Sequence, residues 1–273
     1  MKIISDVLAL KRYLSEQNKT IGFVPTMGAL HDGHLSLIKR AKEESGFVVV
    51  SIFVNPTQFL AGEDLEKYPS RNEADKKICE LAGVDVVFLP QVSDIYTQDE
   101  VRLSAPDVRG YVLEGATRPG HFNGVLTVVN KLFNIVNPDF AYFGKKDAQQ
   151  LHLIMLMVKQ LFMSVEIIAV DTVRESDGLA LSSRNIYLSA DERQEALKIS
   201  QSLYHASQLV SKGIVDVHTI KKSMREVLYP LEIGYVEILN RDFETIDSLE
   251  VGNSVVLVEA LVGSTRLLDN IWL

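Results

Sequence analysis

Five stretches of the 273-residue chain are apolar without the alternation of a half-exposed strand: Ile21–Pro25, Phe47–Val54, Val84–Leu89, Phe140–Phe143 and Val165–Val170. Continuous, β-branched runs of this length suit strands covered on both faces, as in a parallel sheet. Between them the period changes. Val125, Val128, Val129, Leu132, Phe133 and Val136 fall at helical spacing, and Asn137-Pro138-Asp139 stops that helix just before the fourth run. Strand, crossover helix and strand in repetition predict an α/β fold, a Rossmann-like domain built on a parallel sheet.

The pattern shifts near Arg174-Glu175-Ser176-Asp177-Gly178. Ser189-Ala190-Asp191-Glu192 reads as a capping box. It opens two helical stretches, about 190–212 and 216–229, and three strand candidates follow at Gly234–Asn240, Ser254–Val262 and Thr265–Ile271. Helices followed by strands predict a smaller α+β domain. The expected division is 1–175 for a Rossmann-like catalytic domain and 176–273 for a C-terminal α+β lid domain.

Composition changes this picture by exclusion. A hydrophobic share of 47% with 23% charged residues is that of a globular protein, not a disordered or fibrous one. The net charge of −8 disfavours a surface for nucleic acid or anionic membrane. Cys79 is the single cysteine, so neither an internal disulfide nor a cysteine-based zinc cluster is available. No apolar run is long enough to span a bilayer, and an acid at position 6 comes too early for a secretory signal. The expectation is a soluble, cytoplasmic protein with no nucleic-acid or membrane partner.

The chemistry concentrates in Val24-Pro25-Thr26-Met27-Gly28-Ala29-Leu30-His31-Asp32-Gly33-His34-Leu35. A buried strand runs into a glycine-bearing turn, and His34 opens a helical pattern through Leu35, Leu37, Ile38 and Ala41. The carboxyl end of such a strand is where α/β sheets bind ligands. Exposed amides and the positive helix end predict a phosphate site there. A His-x-x-His pair alone is weak, and zinc lacks the accompanying ligands. The strand–glycine–histidine–helix context favours phosphate, and the His-x-Gly-His run is similar to the signature of the nucleotidylyltransferase and class I aminoacyl-tRNA synthetase superfamily.

Five blocks narrow the resemblance: residues 25–34, 51–59, 113–122, 143–150 and 178–185. In order and spacing they resemble the pantothenate synthetase (pantoate–β-alanine ligase) family, more weakly so at Arg266-Leu267-Leu268-Asp269-Asn270. The resemblance implies a cytoplasmic homodimer that uses ATP and Mg²⁺ to join pantoate to β-alanine through pantoyl adenylate.

The same resemblance implies the roles of individual residues. Met27, Gly28, Ala29, Leu30, His31, Asp32, Gly33 and His34 wrap the nucleotide, with His34 as proton donor, His31 its partner and Met27 a packing lip. Gly144, Lys145, Lys146 and Asp147 lie at the nucleotide, Lys146 as a point charge for phosphate and Asp147 on the ribose or arranging the lysine. Val173 gives a backbone contact to adenine, and Leu181, Ser182, Ser183 and Arg184 form a second phosphate segment with a catalytic Arg184. Gln58 and Gln150 bind pantoate, Arg118 and His121 support pantoate or phosphates, and Asp75 is a weak candidate for the Mg²⁺ environment.

On residue type alone, Lys146-Asp147 reads as a solvated helix cap, and the alternative for Ser182-Ser183 is an ordinary capping pair. The sequence leaves the protonation of His31 and His34 open. Two departures from the family pattern stand out: Lys145 replaces an acid, and Ser70-Arg71 replaces Arg-Thr after Tyr68-Pro69. The alternatives are another adenylyl-transferring enzyme of the superfamily and a silent nucleotide sensor or RNA-binding module.

Overall fold

The computed structural model describes residues 1–60, 62, 63, 65, 68 and 71–273. Of the Ser70-Arg71 departure, Ser70 lies outside the described residues, and Arg71 stands at the residue before the helix Asn72–Leu81. The chain forms two compact units, Met1–Gly144 with Gln149–Val170, and Lys145–Ala148 with Asp171–Leu273.

In the first unit, β1 (Lys2–Ile4), β2 (Ile21–Thr26), β3 (Phe47–Ile52), β4 (Val86–Phe88), β5 (Phe140–Gly144) and β6 (Glu166–Val170) form one parallel sheet in the order β1-β4-β3-β2-β5-β6. The helices are α1 (Val7–Ser15), α2 (Asp32–Glu44), α3 (Asn72–Leu81), the short α4 (Val92–Ile95) and α5 (Glu114–Thr117), α6 (His121–Val136) and α7 (Ala148–Gln160). All five apolar runs contain strands, and the 125–136 pattern lies on α6. β1 is three residues long, too short to show a period in the sequence.

Every residue of β3 is buried, and Val24, Val48, Val50, Ile52 and Val87 pack with Leu37, Ile38 and Ala41 of α2. Cys79 lies in the same core, where burial, with the Asp75 charge adding to it, pushes its thiol up to about 12. It is a packing residue, not a nucleophile.

Pro25 in a central strand lacks a donor for the ladder. The structure removes the conflict. Thr26 turns its carbonyl toward β3, where Phe53 N–H donates to it at 3.0 Å, so the neighbouring Pro25 nitrogen faces β5. Pairing of β2 with β5 covers only Gly22 and Phe23, so no ladder bond is missed. β2 and β5 therefore separate just before their carboxyl ends, and the strand order reverses between them. That is the switch-point crevice of an open α/β sheet.

In the second unit, β7 (Glu232–Asn240), β8 (Ser254–Val262) and β9 (Thr265–Trp272) form an antiparallel sheet in the order β7-β8-β9. Two helices, α8 (Ala190–Ser211) and α9 (Val217–Leu228), bury Ile199, Leu203, Ile220 and Met224 against Val236, Ile238, Val256 and Val258. Ser189 opens α8 through the capping box expected from its sequence. No helix among the described residues is long and apolar enough to cross a membrane.

Candidate active site

Between β2 and α2 the backbone reverses through Gly28 at φ +85° and Ala29 at φ +50°. A left-handed alanine costs about 1–2 kcal/mol, so the turn needs restraint. Asp75, on α3 and 1% exposed, supplies it: Oδ2 accepts the Ala29 N–H at 2.9 Å and Oδ1 the Leu30 N–H at 2.8 Å. A side chain at position 28 would press on Asp75 and Ile52 as well as strain the backbone. Both oxygens of the residue expected near Mg²⁺ thus accept amides of the turn.

The expectation of exposed amides is corrected here. Gly28 N–H donates to Thr26 Oγ1, His31 N–H to His34 Nδ1 at 3.3 Å, and Gly33 N–H to His31 Nδ1 at 3.1 Å. With Ala29 and Leu30 on Asp75, five of the turn's amides, those of Gly28 to His31 and of Gly33, are engaged internally. The last two bonds form a capping box built from imidazoles rather than hydroxyl and carboxylate.

Those bonds also settle which ring nitrogen bears hydrogen. A backbone N–H only donates, so Nδ1 of both rings must accept, and the neutral imidazole then carries its hydrogen on Nε2. The rings lie 4.2 Å apart between centroids, tilted by 42°. Gly33 is required because a Cβ there would collide with the His31 ring. The hydrogen of each ring is therefore on Nε2, and both histidines stand at the amino end of α2, where the helix dipole favours an anion.

Beside the turn, Asn55 caps the 3₁₀ turn Pro56–Gln58. Its orientation is fixed by obligate backbone groups: Oδ1 accepts from Thr57 N–H at 3.3 Å, and Nδ2 donates to Gly124 O at 3.2 Å. Tyr96 O–H donates to the same Oδ1 at 2.8 Å. Asn55 Nδ2 also donates to Gln58 Oε1 at 3.1 Å, which turns Gln58 Nε2 toward Met27 Sδ, 2.8 Å away. Gln58 is thus set as an N–H donor at the mouth of the turn. Gly124 lets α6 approach, since a Cβ there would overlap Thr57 O.

Arg118 and His121 meet Gln58 through its main chain. Arg118 Nη1 only donates, so His121 Nε2 accepts from it at 2.9 Å and Nδ1–H donates to Gln58 O at 2.7 Å. Arg118 Nη2 reaches the same carbonyl at 3.2 Å and the guanidinium grips Glu63 through two bonds of 2.7 and 2.6 Å. Burial pushes Glu63 up, yet the Arg118 fork and the Leu60 N–H bring it down to about 2. Sequence reading missed Glu63 and Tyr96; no period or motif marks either. It also passed over Gln149, fully buried beside Gln150, which donates to Arg109 O and Val112 O and accepts from Glu114 N–H. Gln150 itself is half-buried on α7.

In the second unit, Lys146 Nζ lies 3.2 Å from Asp147 and the side chain is 21% exposed. Lys145, the charge reversal, turns its ammonium to Asp171 at 2.6 Å. Asn270 Nδ2 donates to both Lys145 O and Lys146 O. Ser182 Oγ accepts the Arg184 N–H and caps the 3₁₀ turn Ser183–Tyr187, as the capping reading of that pair foresaw. Val173 O accepts the Leu181 N–H at 3.0 Å, which joins two expected nucleotide contacts. No group of three His, Cys, Asp or Glu residues among the described ones is arranged to hold a metal ion.

A parallel sheet whose switch point opens on a His-x-Gly-His helix entry defines the class: an α/β protein of the Rossmann-like type. The comparisons sharpen this. The model of the pantoate–β-alanine ligase family matches residues 2–272. The chain is 66% identical to pantothenate synthetase of Sulfurimonas denitrificans and 54% to that of Aliarcobacter butzleri, each over the whole of both chains. Pantothenate synthetase from Thermus thermophilus is similar in structure with a TM-score of 0.95 at 40% identity, covering 99% of each chain. The pantoate–β-alanine ligase of Francisella tularensis, complexed with β-γ ATP and β-alanine, gives 0.83 at 35%, covering 100% of this chain and 97% of its own. This chain belongs to the pantoate–β-alanine ligase family.

Proposed function

We propose that the chain joins pantoate to β-alanine using ATP, in two displacements. The pantoate carboxylate attacks the α-phosphorus, the bond to the β-phosphate oxygen breaks, and pyrophosphate leaves. The β-alanine amine then attacks the acyl carbon of pantoyl adenylate, AMP leaves, and the amine gives up a proton. The carboxylate is ionised at neutral pH, so the first step requires alignment and stabilisation of charge on the phosphates, not a strong base.

The observation that carries this reading is the pair of imidazoles pinned at Nδ1 at the helix entry beside the switch point, which puts the hydrogen of each ring on Nε2. His34 and His31 donate to phosphate oxygens, and Met27 to His34 line the nucleotide. Gly144, Lys145, Lys146, Asp147, Val173 and Leu181 to Arg184 complete its ligands, with Lys146 and Arg184 on the phosphates. Gln58 and Gln150 hold pantoate, and Arg118 and His121 act on it by fixing the Gln58 main chain. The described residues do not form a magnesium cage, and Asp75 is engaged by amides, so we assign Mg²⁺ to the substrate as MgATP. Homodimeric assembly and a cytoplasmic location, both implied by the resemblance, complete the reading.

Pantoate-dependent exchange of pyrophosphate into ATP tests the first step. His34→Ala should slow it by about 10²–10³-fold, the cost of one phosphate-facing donor. Exchange without pantoate, or unimpaired exchange in His34→Ala, would refute the assignment.

A further inference from the structure

The segment Lys145–Ala148 leaves the end of β5 and belongs to the second unit, where its anchor is Asn270 of β9. Asn270 is 3% exposed. Its Nδ2 donates to Lys145 O at 2.9 Å and to Lys146 O at 2.7 Å, and its orientation is fixed because both partners are carbonyls that only accept.

These carbonyls belong to the peptide planes on either side of the Lys146 Cα. Holding both planes fixes φ and ψ of that residue, and hence the direction in which its side chain departs. One amide group, 124 residues away in sequence, thus aims the lysine. Asn270 is itself braced. Its N–H donates to Asp269 Oδ1 at 2.8 Å and its carbonyl accepts from Arg174, whose guanidinium also takes both oxygens of buried Asp269. The Asn270 Oδ1 is buried without a hydrogen-bond partner. A residue serving only to fill space there would not carry a buried, unmatched oxygen.

We propose that Asn270 is a positioning residue for adenylation, acting through Lys146. This rests on the reading of Lys146 as the phosphate-facing cation. Asn270 touches no reacting atom; its effect falls on the step in which charge builds on the leaving pyrophosphate.

The test is a double-mutant cycle in the pantoate-dependent exchange assay on the whole protein, using Asn270→Ala, Asn270→Leu, Lys146→Ala and the Asn270→Ala/Lys146→Ala pair. Asn270→Leu keeps the volume and removes the donors. Both single Asn270 variants should lower the exchange kcat by about 10–100-fold, the effect of an ångström-scale misplacement. The KM for β-alanine in the full reaction should stay within about twofold, and the double variant should be no slower than Lys146→Ala by more than about twofold. A further tenfold loss in the double variant would overturn the proposal, as would normal exchange in both Asn270 variants beside an impaired Lys146→Ala. Normal exchange in Lys146→Ala would instead remove the reading of Lys146, and this proposal with it. Circular dichroism and gel filtration accompany each variant; loss of fold in both Ala and Leu forms would mark the amide as structural and refute the positioning role.

Discussion

Asp75→Asn exchanges one oxygen for nitrogen at nearly constant volume and separates two roles for this carboxylate. In the native turn each oxygen accepts one amide, from Ala29 and from Leu30. Asparagine accepts only one, and the other N–H then faces an NH₂ group. The lost bond is to a charged acceptor, about 1.5–3 kcal/mol, and the orphaned donor adds to it. With the restraint on the left-handed Ala29 weakened as well, the expected loss is about 3 kcal/mol in the first unit. His31 follows directly, so adenylation should fall by at least about tenfold. Urea unfolding with EDTA and no nucleotide measures the first effect, and hydrogen exchange of the peptide spanning 27–34 locates it. A magnesium ligand at position 75 would behave in the opposite way: metal-free stability would hold and activity would return as Mg²⁺ is raised. An unchanged urea midpoint in EDTA, together with Mg²⁺-rescued exchange, would refute the clamp.

Glu63 predicts an acid-sensitive contribution to stability. Its pKa falls from 4.5 unfolded to about 2 folded, so the stabilisation is complete above the unfolded value and is lost as pH drops toward 2. The urea-stability gap between the native chain and Glu63→Gln, at most about 3 kcal/mol, should be constant above about pH 5 and close near pH 2; a gap independent of pH would contradict the Arg118–Glu63 pairing. Tyr96→Phe removes the shortest bond on Asn55 Oδ1 and loosens the orientation of Gln58. The KM for pantoate should rise roughly 2–10-fold with that for ATP unchanged, and a matching rise in both would exclude a role through Gln58.

What was legible in the sequence is what repeats or clusters locally. The five apolar runs hold strands because burial on both faces leaves a continuous signal, and Val125 to Val136 lie on one helix because helical packing imposes its period. Met27 to His34 stood out because a turn and its chemistry occupy consecutive residues. The supports did not stand out. Asp75 reaches Leu30 across 45 residues, Arg118 reaches Glu63 across 55, and Asn270 reaches Lys145 across 125. Each is one polar side chain on a distant partner, and a single contact generates no period.

The His-x-Gly-His run shows why the division falls there. Residue type alone identifies two imidazoles and a glycine, and leaves their protonation open. Once folded, the His31 ring lies over position 33 and takes its amide, while His34 takes the amide of His31. The glycine is then a steric requirement of the first histidine rather than a hinge, and the hydrogen on each Nε2 follows from the backbone donors at Nδ1. The motif names the donors, and the fold decides which edge they present. That edge in turn depends on Asp75, since the Ala29–Leu30 corner it clamps leads directly into the His31 amide that orients His34.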